Sequence, residues 1–382
     1  MINRAELKNF GPIKELDWQN LGKINLIIGN NGCGKSFLLK ALYSAVRTLE
    51  DYRRGDNPES ATDILTKNLR WTFQPDEIGD LVKDQEIVVK EEYIEPNVEF
   101  LDKEVLLSFS MFFNQQNFSY EFANDFSRPN ISKNQVTPRT DNSIFLPAKE
   151  VLSLHHIILT TVLRDRLFGF DNTYFDLAIA LQTPPSDIPV YFGFAEDVDS
   201  KGFCQAPFYN QESLIRGHGS NDFNQVRNLL EGMIGGRIEF NEVRKRWYFR
   251  QGEQRFPMGV TAEGIKKIAI LDTLLGNGYL NENSIIFIDE PESALHPKAI
   301  ADLLDIIAVL ANHGIQFFLA SHSYFVIKKL FLIAQEQQMS IPVLSYQNDE
   351  WVQSDLKNDL PDNPIIDESI KLYEQQLDLS DC

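Results

Sequence analysis

The chain has 382 residues, 43% of them hydrophobic, and 36 basic against 55 acidic residues leave a formal charge of −19. The apolar content is enough for a packed core, so disorder is excluded as the default, and the length accommodates one large or two ordinary domains. The charge disfavours generic DNA binding, since no long basic run offsets it; Arg244-Lys245-Arg246 is the densest cluster and reads as a hairpin tip.

Residues 2–10 alternate as a half-buried strand, Gly11-Pro12 turns the chain, and Ile13 to Trp18 reads as the returning strand. The apolar run Ile24 to Ile28 leads into Gly29-Asn30-Asn31-Gly32-Cys33-Gly34-Lys35-Ser36, a full G-x-x-x-x-G-K-[S/T] pattern, and Phe37 to Leu42 begins a helix. Strand, glycine-rich turn and helix is the context of a phosphate-binding loop. Its backbone N–H groups would cradle a nucleoside triphosphate over Asn30, Asn31, Gly32, Cys33 and Gly34. Lys35 would reach the β/γ-phosphates, and Ser36 would give an oxygen to Mg²⁺.

Regularity fades from Asp51 to about Asn142, and this stretch reads as an insert packed on the nucleotide domain. Within it, Leu101 to Tyr120 predicts strands whose Phe109, Phe112, Phe113 and Phe118 form a core face rather than a base-stacking platform. Ser143 to Leu146 is a short strand stopped by Pro147, followed by a helix to about Leu163. His155 and His156 sit on that helix, but adjacent side chains diverge by about 100°, so a metal site is disfavoured. Further helices are predicted over Asn172 to Leu181, ended by Pro184-Pro185, and Asn221 to Met233. Gly235-Gly236 opens a hairpin of Arg237 to Val243 and Trp247 to Gln251.

Val260 to Lys267 starts a helix whose Ala262-Glu263-Gly264 opening suits an anion. Ser284 to Asp289 is continuously apolar before its acid, the mark of a central parallel strand, and it ends in Asp289-Glu290. Acids there sit where open α/β sheets bind ligands. Asp289 suits Mg²⁺, and Glu290 suits alignment and deprotonation of an attacking water. Pro291 to Pro297 turns into a helix, and Gln316 to Ala320 forms a second buried strand followed by Ser321-His322-Ser323. His322, on the same sheet edge, is placed to sense a γ-phosphate. Past Ser345 come ten acids and two lysines, and Ile366, Ile370, Tyr373 and Leu377 recur at helical spacing. That stripe could dock on its own domain or on a partner. Cys33, Cys204 and Cys382 show no metal spacing, and no signal peptide or bilayer-length apolar run is present. The sequence therefore reads as cytoplasmic, without membrane contact.

These motifs together resemble the ABC-type AAA ATPases of the RecF/SMC-like and OLD-like group, over residues 1–48 and about 255–330. Asp289-Glu290-Pro291-Glu292 with Leu295-His296-Pro297 carries most of the likeness. The resemblance implies an α/β P-loop NTPase fold of ABC type: a central, mostly parallel sheet, an N-terminal antiparallel β subdomain and an α+β insert. The implied division is an ATPase core at 1–50 and 255–345, an insert or helical lobe at 51–254, and an acidic segment with an amphipathic helix at 346–382. It implies ATP and Mg²⁺, with Lys35, Glu290 and His322 catalytic and Ser36 and Asp289 on the metal. Gly264 would contact the γ-phosphate of the opposite subunit in a head-to-tail dimer. A coupling glutamine is implied too, with Gln74 and Gln115 as candidates. Ala262 stands where the signature serine belongs, which predicts slow hydrolysis rather than lost binding.

About 60 residues follow His322, too few for the nuclease domain of OLD proteins, and SMC-type coiled coils are missing. The expectation is a stand-alone ATPase, a homodimer or higher homo-oligomer, that regulates a separate nuclease or toxin in antiviral defence. The rivals are a RecF-like DNA-repair ATPase on duplex DNA and a non-catalytic, ATP-dependent scaffold.

Overall fold

The computed structural model describes residues 1–54, 57–82, 106–123, 128–162, 169–182, 223–241 and 244–380. Strands β1 (Arg4–Phe10), β2 (Ile13–Trp18) and β3 (Ile24–Ile28) lead into helices α1 (Lys35–Asp51) and α2 (Ala61–Phe73). Then come β4 (Leu107–Phe113), β5 (Gln116–Phe122), β6 (Asn130–Asn134), β7 (Ile144–Leu146), α3 (His155–Thr160), α4 (Asn172–Gln182) and α5 (Asn224–Ile234). β8 (Arg237–Asn241), β9 (Arg246–Gln251) and β10 (Gln254–Pro257) precede α6 (Glu263–Gly276), β11 (Ile285–Asp289) and α7 (Pro297–Asn312). β12 (Gln316–Ser321), α8 (Tyr324–Gln337), β13 (Pro342–Gln347), β14 (Glu350–Asp355) and α9 (Pro364–Ser380) complete the order.

The apolar strands assemble as β14-β13-β3-β12-β11-β7, all parallel except β14. Every residue of β3 is buried, because alternate side chains face two different cores. Ile24, Leu26 and Ile28 face helices α4 to α8, whereas Ile27 faces α1, α2 and the antiparallel sheet β2-β1-β4-β5-β6. On that second face Phe145, Phe287 and Phe318 stand directly opposite one another on β7, β11 and β12. Their rings stack at 6.4 and 5.2 Å, and Tyr43 of α1 meets two of them edge-on at 5.7 Å. Each buried aromatic contributes roughly 1.5–3 kcal/mol, so this row fixes α1 against the sheet.

Several expectations change. The insert proposed from residue 51 does not respect the sheets, because β4 pairs with β1. β4, β5 and β6 therefore complete the antiparallel sheet that β1 and β2 begin, and Phe109 and Tyr120 stack within it at 4.9 Å. Likewise the boundary at 346 cuts the β13–β14 hairpin, which belongs to the central sheet. The helix foreseen after the strand that Pro147 stops begins only at His155, because Glu150 accepts the Ser153 N–H at 2.6 Å and holds a turn. His155 is buried and donates to the Ala178 carbonyl at 2.9 Å. The 235–257 segment has a third strand, β10, which the hairpin reading missed. Pro184-Pro185, the start of the Asn221 helix, Val243, Cys204 and Cys382 lie outside the described residues.

Helix α1 carries a buried charge cluster. Arg47 reaches Glu50 at 2.9 Å, Asp51 at 3.3 Å and Asp176 of α4 at 3.4 Å, while Lys40 pairs with Asp171 at 2.6 Å. Tyr43 donates to Asp176 at 2.5 Å, so three ties run from α1 to α4 and its N-terminal residue Asp171. Burial pushes the Asp51 carboxyl up from 3.8 to about 6, against the pull of Arg47. The folded chain therefore keeps a proton that the unfolded chain releases. This contribution is full below about pH 4 and lost as pH rises through about 6. Asp51→Asn is expected to remove that loss. Its unfolding free energy in urea should exceed the wild type's by an amount that grows from pH 5 to pH 8, on the order of 1–3 kcal/mol.

Candidate active site

Parallel pairing of β3, β12 and β11 puts their carboxyl ends side by side, so three loops share one sheet edge. The first is Gly29 to Ser36. Gly34 has φ +101°, and a Cβ there would lie 2.9 Å from Pro12, so the β1–β2 turn rests on the loop where it enters α1. Gly29 has φ +154°, with Cys33 Sγ and Tyr346 Cβ each 2.9 Å from the place its Cβ would occupy. Asn30, Asn31 and Gly32 form the exposed crest. Lys35 is buried and folds back over its own loop, donating to the Gly29 and Asn30 carbonyls at 2.8 Å each.

Ser36 donates to Asp289 Oδ1 at 2.9 Å, which joins the first loop to the second. Burial pushes the Asp289 carboxyl up, the Ser36 hydrogen bond pulls it back, and Glu290 pushes it up again. A hydroxyl and a carboxylate in contact are a hard-oxygen pair that fits Mg²⁺ with its other positions left to water and phosphate. Glu290 has φ +49°, a left-handed conformation that costs a non-glycine residue about 1 kcal/mol or more. Two hydrogen bonds hold it there. Its N–H donates to Ala320 O at 2.9 Å, and its carbonyl accepts from Lys267 Nζ at 2.9 Å.

The third loop carries His322. Glu292 Oε1 accepts from Ser321 Oγ at 2.8 Å and from the His322 N–H at 3.1 Å, which pins the loop to the turn after β11. His322 Nδ1 then lies 3.5 Å from both Glu290 and Glu292. Lys35, Ser36, Asp289, Glu290 and His322 are thus gathered on one edge. Gly264 is placed elsewhere, in the first turn of α6, where a Cβ would lie 2.5 Å from Leu295. Ala262 caps that helix without a side-chain hydrogen bond.

Neither candidate glutamine extends the cluster: Gln74 donates to Phe170 O at 3.0 Å, and Gln115 lies in the β4–β5 turn. Beside β11, the carboxyl end of β7 offers Pro147-Ala148-Lys149-Glu150 instead. Sequence reasoning also missed Lys267, which burial drives down in pKa while Glu292, Glu290 and Asp289 pull it back. The only signal was a lysine three residues past Gly264, and no motif marked it.

The family described as "AAA domain, putative AbiEii toxin, Type IV TA system" (AAA_21) matches residues 24–328. A stretch of 42 residues is 50% identical to the uncharacterized protein MJECL10 of Methanocaldococcus jannaschii, covering 11% of this chain and 19% of that protein. The match therefore spans about a fifth of that relative's length. Among solved structures, the SMC head bound to the C-winged-helix domain of ScpA covers 94% of this chain and 98% of that one. Its TM-score is 0.50 at 15% identity, which shows a shared fold, that of SMC heads. An SMC head with extended coiled coil, bound to the C-terminal domain of ScpA derived from Pyrococcus furiosus, has TM-score 0.47 and 12% identity over 98% of each chain.

Lys267→Met removes one charged donor from the Glu290 carbonyl and leaves the phosphate loop intact. A bond of that kind is worth roughly 1.5 kcal/mol, so phosphate release is expected to slow about tenfold. Affinity for a fluorescent ATP analogue should stay unchanged, and parallel loss of both would contradict the assignment.

Proposed function

The chain belongs to the AAA_21 family of AAA domains, and on that premise we propose that it is a slow ATPase that dimerises on ATP and controls a separate effector. The observation that carries the reading is the Ser36–Asp289 hydrogen bond, with Glu290 and His322 on the same sheet edge. Lys35 and the N–H groups from Asn30 to Ser36 bind the β/γ-phosphates. Ser36 and Asp289 hold Mg²⁺, which neutralises phosphate charge when bound. Glu290 accepts the proton of the attacking water, and His322, oriented by Glu292, reports on the γ-phosphate from the neighbouring loop.

Gly264 acts in the partner rather than in its own site, where its nearest neighbour is Leu295 in the turn after β11. Ile265 and Lys266 already donate their N–H groups to the Ala262 carbonyl at 3.1 and 3.3 Å, and a phosphate of the opposite protomer is the acceptor for the N–H groups ahead of them in α6. With Ala262 in place of a hydroxyl, one donor is missing and turnover is slow. The solved SMC head is bound to a domain of a separate polypeptide, ScpA, which favours a second chain as the output of the ATP cycle, whereas the family description attaches the toxin of a type IV system to the AAA domain itself. The formal charge of −19 suits a basic effector, a nuclease or toxin in antiviral defence.

Glu290→Gln keeps the shape of the site and removes its base. Light scattering is expected to give a mass that doubles with Mg·ATP and stays doubled, whereas the wild type reverts as ATP is consumed. An unchanged mass, with ATP binding intact, would sink the ATP-gated dimer.

A further inference from the structure

Two surfaces remain outside the ATPase chemistry. The first is the outer face of β8-β9-β10. Its inner residues Ile238, Phe240, Trp247, Phe249 and Phe256 join the core, and Phe240 and Trp247 pack on His155 at 5.6 and 5.8 Å. The outward residues form rows across the sheet. Arg237, Arg250 and Arg255 stand directly opposite one another, then Glu239, Tyr248 and Pro257, then Asn241 and Arg246. Like charges paired across strands repel, and Glu239 alone bridges all three arginines of the first row, at 3.5, 3.1 and 3.2 Å. Arg237 and Arg255 stay 55% and 59% exposed. Residues 237–257 carry six cations and three acids, a net of +3 in a chain of −19.

The second surface is α9. Its first turn is anchored by buried Ile366 and by Asn363, which donates to Ser345 Oγ at 2.7 Å. From Asp367 to Gln376 every residue except Ser369 is exposed, including Ile370 at 50%, Leu372 at 58% and Tyr373 at 62%. Of the stripe, Ile366 therefore docks on its own domain, and Ile370 and Tyr373 do not. Asp367 and Glu374, one residue along from Ile366 and Tyr373, place acids beside that stripe. Residues 364–380 hold four acids and one lysine, a net of −3.

We propose that α9 of one copy docks on the arginine face of β8-β9-β10 of a second copy. The Arg237-Arg250-Arg255 row and the Asn241-Arg246 row flank a middle row of Glu239, Tyr248 and Pro257. Four residues along a strand separate the rows, about 13 Å, close to the 10–12 Å diameter of a helix. Ile370 and Tyr373 cover Tyr248 and Pro257, and Asp367 and Glu374, which share one flank of the helix, meet the Arg237-Arg250-Arg255 row. A polyphosphate would gain less, because Glu239 sits among the arginines and already bridges three of them. The occupant is a second copy: α9 follows β14 at one edge of the six-stranded sheet and packs on α8, with Ile370 and Tyr373 left exposed, whereas the face is carried on α3 and α6. A contact between two different surfaces repeats, so it builds a ring or a chain, separate from the ATP-dependent dimer.

The test uses the whole chain without nucleotide, so it stands or falls apart from the ATP reading. Light scattering of the wild type should show a mass above the monomer at about 0.1 M salt that falls to the monomer at about 1 M, where the Debye length shrinks from about 10 Å to about 3 Å. Arg237→Glu with Arg255→Glu should be monomeric at both, and so should Asp367→Lys with Glu374→Lys. All four changes in one chain should restore the assembly. So should an equimolar mixture of the two double variants. Circular dichroism verifies that each variant is folded. A monomeric wild type at low salt, or folded variants that fail to restore mass when combined, would overturn the proposal. So would loss of short duplex DNA binding in Arg237→Glu/Arg255→Glu with mass unaffected, which would give the face to nucleic acid.

Discussion

The hydrogen bond from Ser36 to Asp289 joins residues 253 positions apart, and it exists only because β3, β12 and β11 run parallel in neighbouring places. Parallel neighbours end on the same edge. A phosphate loop, a pair of acids and a histidine-bearing loop therefore meet without any of them reaching across the fold. The apolar content of those strands, buried on both faces, is the physical source of that arrangement. Polar chemistry at the edge is thus supported by strands with almost no polar side chains of their own.

Helix α1 transmits the arrangement outward. Its first turn is the phosphate loop, its middle is held by Tyr43 against the stacked phenylalanines, and its last turns carry Arg47 and its carboxylates. Lys40, Tyr43 and Arg47 all reach Asp171 or Asp176, so the helix that leaves the phosphate loop is tied to α4 by charge as well as by packing. α4 in turn borders the site: Tyr174 is pushed up to about 12 by burial first, with Asp171 and Asp289 adding to it. Lys267 makes the matching tie from α6 to the Glu290 backbone. Changes at the phosphate loop and at the Gly264 turn therefore converge on the same acidic loop after β11.

The outer parts of the molecule have a different character. The β8-β9-β10 face and α9 are built of charged side chains on elements that bury only one side or one turn, with opposite net charge in the two segments. Nothing in the ATPase site requires either. Their electrostatic and apolar patterns are those of surfaces that find each other in a second molecule, and they leave the nucleotide edge free.

Read alone, the sequence determined what depends on neighbours in the chain. The turn of Gly29 to Ser36, the runs Ile24–Ile28 and Ile285–Asp289, and the helical spacing of Ile366, Ile370 and Tyr373 are all local patterns, legible because period and turn chemistry are set within a few residues. That Asp289, Glu290 and His322 lie on one sheet edge was legible too, since residues that follow neighbouring parallel strands share an edge. Strand pairing was not legible. That β4 joins β1, that β10 completes a third sheet and that β14 closes the central one depend on contacts tens of residues apart, for which periodicity carries no register. Lys267 stayed hidden for the same reason: a lysine in a helix has no local mark of the carbonyl it will meet. Tertiary structure alone decided that α9 buries Ile366 and leaves Ile370 and Tyr373 exposed, because a stripe encodes the need for a partner and the packing of the rest of the chain determines whether that partner lies within reach.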